Sequence, residues 1–141
     1  CTAHAGEAKG AESVWETLKK LQPTRIGHGV RSAEDPSLLT YLKQNDIHLE
    51  VCPTSNIQVN VFDKITDHPA HQLYLSGISM GINTDARTVA PINLTHEYEV
   101  MAKTFHWTPA FFKRTNLEAI RHAFAPDSTK EKIKAIIEHA Y

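Results

Sequence analysis

Residues 25–52, RIGHGVRSAEDPSLLTYLKQNDIHLEVC, decide the fold class because they hold two short apolar runs separated by one helical segment. The runs at 25–27 and 48–52 have the length and the β-branched content of strands. Between them, Asp35-Pro36 opens a helical segment, residues 37–44, whose leucines share one side. A strand, a helix and a second strand in this order predict a βαβ unit of a parallel sheet.

Two further apolar runs extend this alternation to both sides of the unit. Residues 78–82 predict a strand after it, and residues 1–4 predict a shorter strand before it. We therefore expect residues 1–86 to form successive βα units with parallel strands. Polar residues follow the carboxyl end of each predicted strand, which is the end where barrel enzymes build their active sites.

Helix signals fill the gaps between the predicted strands. Ser13 with Glu16 three residues later forms a capping box and predicts the start of one helix. Asp67 is predicted to cap another helix over residues 68–75, which Gly77 ends. Together with residues 37–44, these segments predict a helix after each of the first three strands.

The pattern changes after residue 86. Residues 87–93 predict a loop, and the remainder of the tail, up to residue 141, is predicted to be helical and to cover one end or side of the sheet. The predicted helix starts are Thr95 before residues 97–105, Thr108-Pro109 before 110–113, Thr115 with Glu118 before a stretch to Phe124, and Ser128 with Glu131 before Ile133.

The composition is that of one soluble globular domain. Of 141 residues, 15 are Lys or Arg and 16 are Asp or Glu, so the net charge of −1 gives no field that attracts nucleic acid or an anionic membrane. No apolar run approaches the roughly 20 residues that cross a bilayer. Two cysteines, Cys1 and Cys52, are fewer than a disulfide-stabilised secreted domain carries, so we expect a reducing, cytoplasmic location.

Four polar motifs each stand at the end of a predicted strand. They are His4-Ala5-Gly6-Glu7, Arg25-Ile26-Gly27-His28-Gly29, Cys52-Pro53-Thr54-Ser55-Asn56 and Asn83-Thr84-Asp85. Taken singly, His4 fits a hydrogen-bonded surface residue, Asp85 a helix cap and Cys52-Pro53 a strand end. Two histidines, a glutamate and an aspartate at successive strand ends together favour a metal-assisted hydrolytic site.

These four motifs, in this order, resemble those of the adenosine deaminase family. Residues 29–36 (Gly-Val-Arg-Ser-Ala-Glu-Asp-Pro) and Asp67-His68-Pro69 add to the resemblance, which covers essentially the whole chain. It implies an α/β fold: the C-terminal half of a (β/α)8 TIM-type barrel, strands five to eight, followed by a helical C-terminal tail. Residues 1–141 would then form one partial barrel domain without a separate second domain.

The resemblance also implies a reaction and residue roles. The reaction is zinc-dependent hydrolytic deamination of adenosine or deoxyadenosine to inosine or deoxyinosine plus ammonia. His4 and Asp85 would bind one Zn²⁺, His28 and Asp85 would orient the attacking water, with His28 helping to remove its proton, and Glu7 would donate a proton to N1 of the purine. Gly6 would let the backbone approach the purine, which Glu7 also contacts, and Ala86 takes the position of a purine-contacting aspartate.

Two features of the sequence depart from the family pattern. The family takes further zinc ligands from a His-x-His on the first strand of the barrel, and the 141 residues contain no His-x-His. We therefore expect the missing N-terminal half to be required for activity, and the segment alone to bind zinc poorly and to be inactive.

The spacing of His68 and His71 suits a cap and a surface residue better than a metal site. Exposed sheet edges would favour pairing with the missing half or homo-oligomerisation.

Alanine at position 86 leaves the substrate open. Many members of the family have a second aspartate here, so adenine or another 6-aminopurine is an alternative substrate. A non-catalytic half-barrel is a further alternative, although a structural role does not need His4, Glu7, His28 and Asp85 together. A metal hydrolase acting on amides or phosphoesters is a third, and the spacing of Glu7 after His4 speaks against it.

Overall fold

The computed structural model of the chain describes residues 1–88 and 91–141 and contains a four-stranded parallel sheet in the order β1-β2-β3-β4. The strands are β1 (Thr2–Ala5), β2 (Arg25–His28), β3 (His48–Val51) and β4 (Met80–Ile82). In the register, Ala5 is opposite His28, Gly27 is opposite Glu50, and Val51 is opposite Ile82. The predicted parallel α/β sheet is therefore confirmed.

Seven helices accompany the sheet in the described part of the chain. They are α1 (Ala11–Leu21), α2 (Pro36–Gln44), α3 (Pro53–Gln58), α4 (Ala70–Leu75), α5 (Leu94–Phe105), α6 (Pro109–Arg121) and α7 (Asp127–Ala140), with short 3₁₀ segments at Val30–Glu34 and Ile65–Asp67. The helical tail is confirmed. The loop predicted for residues 87–93 includes residues 89 and 90, which lie outside the described residues.

One face of the sheet forms the apolar core together with α1, α2 and α4. Ile26, Leu49 and Met80 are buried on the strands. The helices contribute Val14, Leu18, Leu38, Leu42, Ala70 and Leu73 to the same cluster. Burying a large aliphatic side chain stabilises the fold by about 1.5–3 kcal/mol, so this face holds the sheet and its helices together. Because side chains alternate along a strand, the opposite face carries the residues between, and these are mostly polar.

The carboxyl-terminal part of α6 closes this polar face at the amino end of the strands. The ring of His122, which follows α6, stacks on His48 with ring centroids 4.8 Å apart. A Cβ atom at Gly81 would lie 3.2 Å from Cβ of Ala119, which leaves no free space between α6 and β4. Arg25 donates from Nη1 to the His122 carbonyl at 2.8 Å. The end of α6 and His122 thus cover the amino ends of the strands, and this part of the tail is called the floor.

Several helix starts differ from those that the capping pattern predicts. The first helix begins at Ala11, so Ser13 lies inside it, where its Oγ accepts from Gly6 N–H at 3.1 Å. Asp67 belongs to a 3₁₀ segment, and the ring of His68 accepts the N–H of Ala70 instead. Both predicted caps are wrong: α1 starts before Ser13 with Gly10 as its N-cap and has no side-chain cap bond, and His68 takes the N–H that Asp67 was predicted to bond.

The tail also has fewer helix boundaries than predicted. Residues 109–121 form one continuous helix, and Thr115 is buried inside it, where Oγ1 donates to the Phe112 carbonyl at 3.1 Å. The predicted break at Thr115 is therefore wrong. The last helix begins at Asp127, and Ser128 makes no capping bond. The cap predicted for α2 is confirmed, since Asp35 accepts from Ser37 N–H and Leu38 N–H.

A buried histidine at the floor makes stability depend on pH. Ser79 Oγ donates to Glu118 Oε2 at 2.7 Å, so Nδ1 of His48 donates to Ser79 Oγ at 2.9 Å. Burial, followed by the neighbouring His122 and Arg25, lowers the pKa of His48 to about 3. An unfolded histidine titrates near pH 6.5. Below pH 6.5, His48 is therefore protonated in the unfolded chain, whereas in the folded chain it stays neutral down to about pH 3.

We expect the free energy of unfolding to fall as the pH falls below about 6.5, with His48 contributing up to about 1.4 kcal/mol per pH unit. Urea unfolding at pH 7.5, 6.5 and 5.5 measures this slope. His48→Asn is the matched control, because its amide can still bond Ser79 but does not titrate. The slope of the variant should be shallower by about 1 kcal/mol per pH unit, and equal slopes for the two proteins would contradict the assignment.

Candidate active site

The four sequence motifs meet at the carboxyl edge of the sheet. His4 lies in β1, His28 ends β2, Cys52 follows β3, and Asp85 lies three residues after β4. Because all four strands are parallel, their carboxyl ends point the same way and bring these residues to one edge. The motifs border an open cleft of about 440 Å³ on the polar face. His4, His28 and Asp85 all line it.

Glu7 joins the two histidines of the site. Its Oε2 lies 3.0 Å from His4 Nε2, and its Oε1 lies 3.2 Å from His28 Nδ1. The two imidazole rings are close, with centroids 4.6 Å apart. Glu7 and His28 are shielded from solvent, whereas His4 is largely exposed at the mouth of the cleft. Burial lowers the pKa of His28, although the Glu7 carboxylate opposes this effect.

Asp85 completes the group from the other side of His28. Its Oδ2 lies 3.7 Å from His28 Nε2 and accepts a hydrogen bond from Ser55 Oγ at 2.6 Å. That hydrogen bond lowers the pKa of Asp85, which is therefore a carboxylate at neutral pH. The structure thus brings His4, Glu7, His28 and Asp85 together in the way that their places at the strand ends predict.

Two of these residues have strained backbones. The φ angle is 63° at His28 and 60° at Asp85, which is the left-handed region that favours glycine. Such a conformation costs of order 1 kcal/mol or more in a non-glycine residue, and strain of this kind concentrates at functional sites. Here it occurs at two residues that face each other across the cleft.

The two other predicted site residues have different surroundings. Gly6 has a φ of 68°, and a Cβ atom there would lie 2.6 Å from Cγ2 of Val14, so packing against α1 already requires glycine. Ala86 is exposed, and its N–H donates to Oδ1 of Asp85 at 2.7 Å. Neither observation tests a contact with a substrate, and both assignments stay predictions.

Sequence reasoning missed Asn56 and the buried contact that His68 makes with it. Asn56 is fully buried, and its Nδ2 lies 2.8 Å from Glu7 Oε1. His68 is a cap as predicted, but it is buried, and its Nε2 lies 3.0 Å from Asn56 Oδ1. Both residues lie in motifs that carry the family resemblance, which is the one signal that could have drawn attention to them. A contact between positions 12 residues apart has no local pattern that reveals it.

The residues of the cleft suit a divalent metal ion. The possible ligand atoms of His4, Glu7 and His28 all lie within 4.8 Å of one another. Imidazole nitrogen and carboxylate oxygen are ligand types that zinc accepts. This geometric group contains Glu7 and His28, whereas the sequence-based hypothesis pairs His4 with Asp85. The donors therefore fit zinc, and the choice between the two sets stays a prediction.

The fold and the site define a class of protein: a parallel α/β sheet with imidazole and carboxylate side chains gathered at the carboxyl ends of its strands, where barrel enzymes build their active sites. The family model described as Adenosine deaminase matches residues 1–140. An adenosine deaminase of Aliivibrio fischeri (strain MJ11) is 42% identical over 135 residues, which are 96% of this chain and 40% of the relative. The chain therefore belongs to the adenosine deaminase family, a family of aminohydrolases, and spans about 40% of the length of that curated relative.

Solved structures give the same result. The adenine deaminase of Arthrobacter aurescens superposes with a TM-score of 0.94 at 28% identity, and the match covers 98% of this chain and 42% of that one. An amidohydrolase of Burkholderia ambifaria, solved with bound Zn, superposes with a TM-score of 0.88 at 27% identity, covering 99% of this chain and 39% of that one. The four-stranded sheet is thus a part of this type of barrel.

Within residues 1–88 and 91–141, no helix is both long enough and apolar enough to cross a bilayer.

Proposed function

We propose that this chain supplies the C-terminal part of an active site for the zinc-dependent hydrolytic deamination of adenosine or deoxyadenosine. The products are inosine or deoxyinosine and ammonia. The observation that supports this proposal is the convergence of His4, His28 and Asp85 on one cleft at the carboxyl edge of the sheet, with Glu7 in contact with both histidines. Because the chain spans 40% of the Aliivibrio fischeri relative, the N-terminal part of the barrel is the partner that the activity requires.

His4 and Asp85 are the residues that would hold the zinc ion. The ion would supply a water molecule whose pKa is lowered toward about 7. The bound Zn in the amidohydrolase of Burkholderia ambifaria supports this choice of metal.

Different side chains of the site act on the purine and on the attacking water. The carboxyl group of Glu7, shielded and fixed between two rings, donates a proton to N1 of the purine, which makes C6 electrophilic. His28 and Asp85 orient the water that attacks C6. The proton of that water passes to a basic group in the cleft and leaves with the amino group as ammonia. The Ser55 hydrogen bond keeps the Asp85 carboxylate aimed into the cleft.

The substrate is tested with a reconstituted enzyme, in which this chain is joined to the remaining N-terminal portion of the Aliivibrio fischeri relative. We expect ammonia release from adenosine to be faster than from adenine. Ala86→Asp adds a carboxylate for the purine, and one such hydrogen bond is worth about 0.5–1.5 kcal/mol. The variant should therefore lower KM for adenosine about 2- to 12-fold with little change in kcat.

Initial rates of ammonia and inosine formation at several substrate concentrations measure both quantities. Faster turnover of adenine would favour the alternative that the likeness to the Arthrobacter aurescens adenine deaminase supports. Absence of turnover on every 6-aminopurine, in a reconstituted enzyme that binds zinc, would sink the proposed function and favour a non-catalytic half-barrel.

A further inference from the structure

Asn56 lies beneath the cleft and connects three groups of the site. It is fully buried. Its Nδ2 lies 2.8 Å from Glu7 Oε1 and 3.1 Å from His28 Nδ1, and its Oδ1 lies 3.0 Å from His68 Nε2. The reaction assigned above does not use Asn56 or His68. Their contacts nevertheless determine where the hydrogen atoms of the site lie.

His68 fixes the orientation of the Asn56 amide. The N–H of Ala70 points at His68 Nδ1 over 3.1 Å. A backbone N–H can only donate, so Nδ1 carries no proton, and the proton of the ring is on Nε2. The atom of Asn56 that faces Nε2 is therefore an acceptor, the amide oxygen. The amide NH2 group consequently faces Glu7 and His28.

The oriented amide in turn fixes the ring of His28. An NH2 group has two hydrogen atoms, and Glu7 Oε1 and His28 Nδ1 both lie within hydrogen-bond distance of it. Glu7 Oε1 also lies 3.2 Å from His28 Nδ1, so this nitrogen can either accept from the amide or donate to Glu7. An Nδ1–H would face the second amide hydrogen of Asn56, with the two nitrogens 3.1 Å apart, and leave that hydrogen without a partner, whereas an accepting Nδ1 bonds it. An accepting Nδ1 places the proton of the ring on Nε2. This N–H faces Oδ2 of Asp85 across 3.7 Å, a gap longer than a direct hydrogen bond.

We propose that Asn56 is a positioning residue that, together with His68, holds His28 in the tautomer whose Nε2–H faces Asp85. A run of hydrogen bonds from the Ala70 backbone through His68 and Asn56 thereby determines which nitrogen of His28 donates into the cleft. The structural part of this proposal stands on hydrogen-bond partners alone.

The consequence for the reaction rests on the proposed function. With Nε2 protonated, His28 donates a hydrogen bond to the attacking water, and Asp85 is the group that accepts the proton of that water. The water oxygen bonds to C6, and the proton of Glu7 moves to N1. The C6–N bond breaks when the amino group takes the proton from Asp85 and leaves as ammonia. The remaining hydroxyl proton returns to Glu7, which yields inosine.

The tautomer is measured directly by NMR on the 141-residue chain labelled with ¹⁵N-histidine. Long-range ¹H–¹⁵N correlations at pH 7 distinguish a protonated Nε2 from a protonated Nδ1. We expect His28 and His68 both to carry the proton on Nε2.

Asn56→Asp places an acceptor against His28 Nδ1 without changing the shape of the side chain, so the proton of His28 should move to Nδ1 or both nitrogens should be protonated.

The control is Asn45→Asp, which adds the same charge at an exposed position at the end of α2 and should leave both ring patterns unchanged. A proton on Nδ1 of His28 in the unsubstituted chain, or an unchanged His28 pattern in Asn56→Asp, would overturn the proposal. A second variant, His68→Gln, keeps a donor toward Asn56 and should preserve the Nε2 proton of His28. Loss of that pattern in His68→Gln would remove His68 from the proposal.

Turnover of the reconstituted enzyme separates this inference from the proposed function. Asn56→Asp should lower kcat about 10-fold or more while KM changes less than about twofold, because the substitution changes a hydrogen position and not a substrate contact. A tautomer change in the NMR spectrum without a change in kcat would contradict the positioning role. The expected NMR patterns in an enzyme without deaminase activity would leave the tautomer assignment intact and refute the proposed function.

Discussion

Replacing Glu7 with glutamine is expected to lower kcat of the reconstituted enzyme about 10²- to 10⁴-fold, which is the usual contribution of a positioned acid or base. Glutamine has the size of glutamate and keeps an oxygen that can accept from Asn56. It has no acidic proton to donate to N1 of the purine. KM should therefore change little, and the loss should appear in kcat. Rates of ammonia release across a range of adenosine concentrations measure both constants.

The matched control is Glu16→Gln, an equivalent change on the exposed side of α1, where Glu16 pairs with Lys20. It should keep the full kcat. An activity of Glu7→Gln within about threefold of the unsubstituted enzyme would show that Glu7 does not carry the proton. Thermal unfolding of both variants reveals whether a loss of activity reflects a loss of fold.

The isolated chain is expected to show no turnover and no tight zinc binding, whereas the reconstituted enzyme is expected to bind one zinc ion and to release ammonia. A catalytic zinc site normally has three protein ligands and an open position. This chain supplies His4 and Asp85 in the proposed arrangement. His4 is also largely exposed here, so one side of the site lacks its neighbours.

Zinc content after gel filtration, measured for both proteins at equal concentration, tests the first part of this prediction. His4→Ala in the reconstituted enzyme should lower zinc content and abolish turnover together. Stoichiometric, tight zinc binding by the isolated chain would contradict the expectation. That result would favour the compact group of His4, Glu7 and His28, which is complete within this chain.

The sheet and the main site residues could be predicted because their signals are local. Each strand is a short apolar run, and each functional residue lies near the carboxyl end of a strand, at most three residues beyond it. Parallel strands then bring consecutive strand ends to one edge without further information. His28 and Asp85 are adjacent for this reason, although 57 positions separate them in the sequence.

The hydrogen-bond partners of the site could not be predicted in the same way. Asn56 reaches Glu7 and His28 from α3, which begins soon after β3, whereas Cys52-Pro53 taken singly indicates only the end of a strand. A proline can end a strand or occupy the first turn of a helix, so Pro53 alone does not show that a helix starts here. Orientation of a side-chain amide depends on all of its partners at once, and these come from three separate segments.

Helix starts were predicted least well, for a physical reason. A capping box requires only a serine or threonine with an acid three residues later, and such pairs also occur inside helices. Ser13 and Thr115 both lie within helices, with their hydroxyl groups bonded to the backbone. The pattern identifies a helical region, whereas the actual first residue depends on which group reaches the free N–H.

The floor formed by α6 has a consequence for how the chain is divided. Sequence patterns suggest a border near residue 86 between the strand units and a helical appendage. Arg25, on the second strand, bonds the carbonyl of His122, and His48, on the third strand, stacks on the ring of the same residue. The tail and the strands consequently share their interior, and neither would be a complete folding unit if the chain were cut at that border.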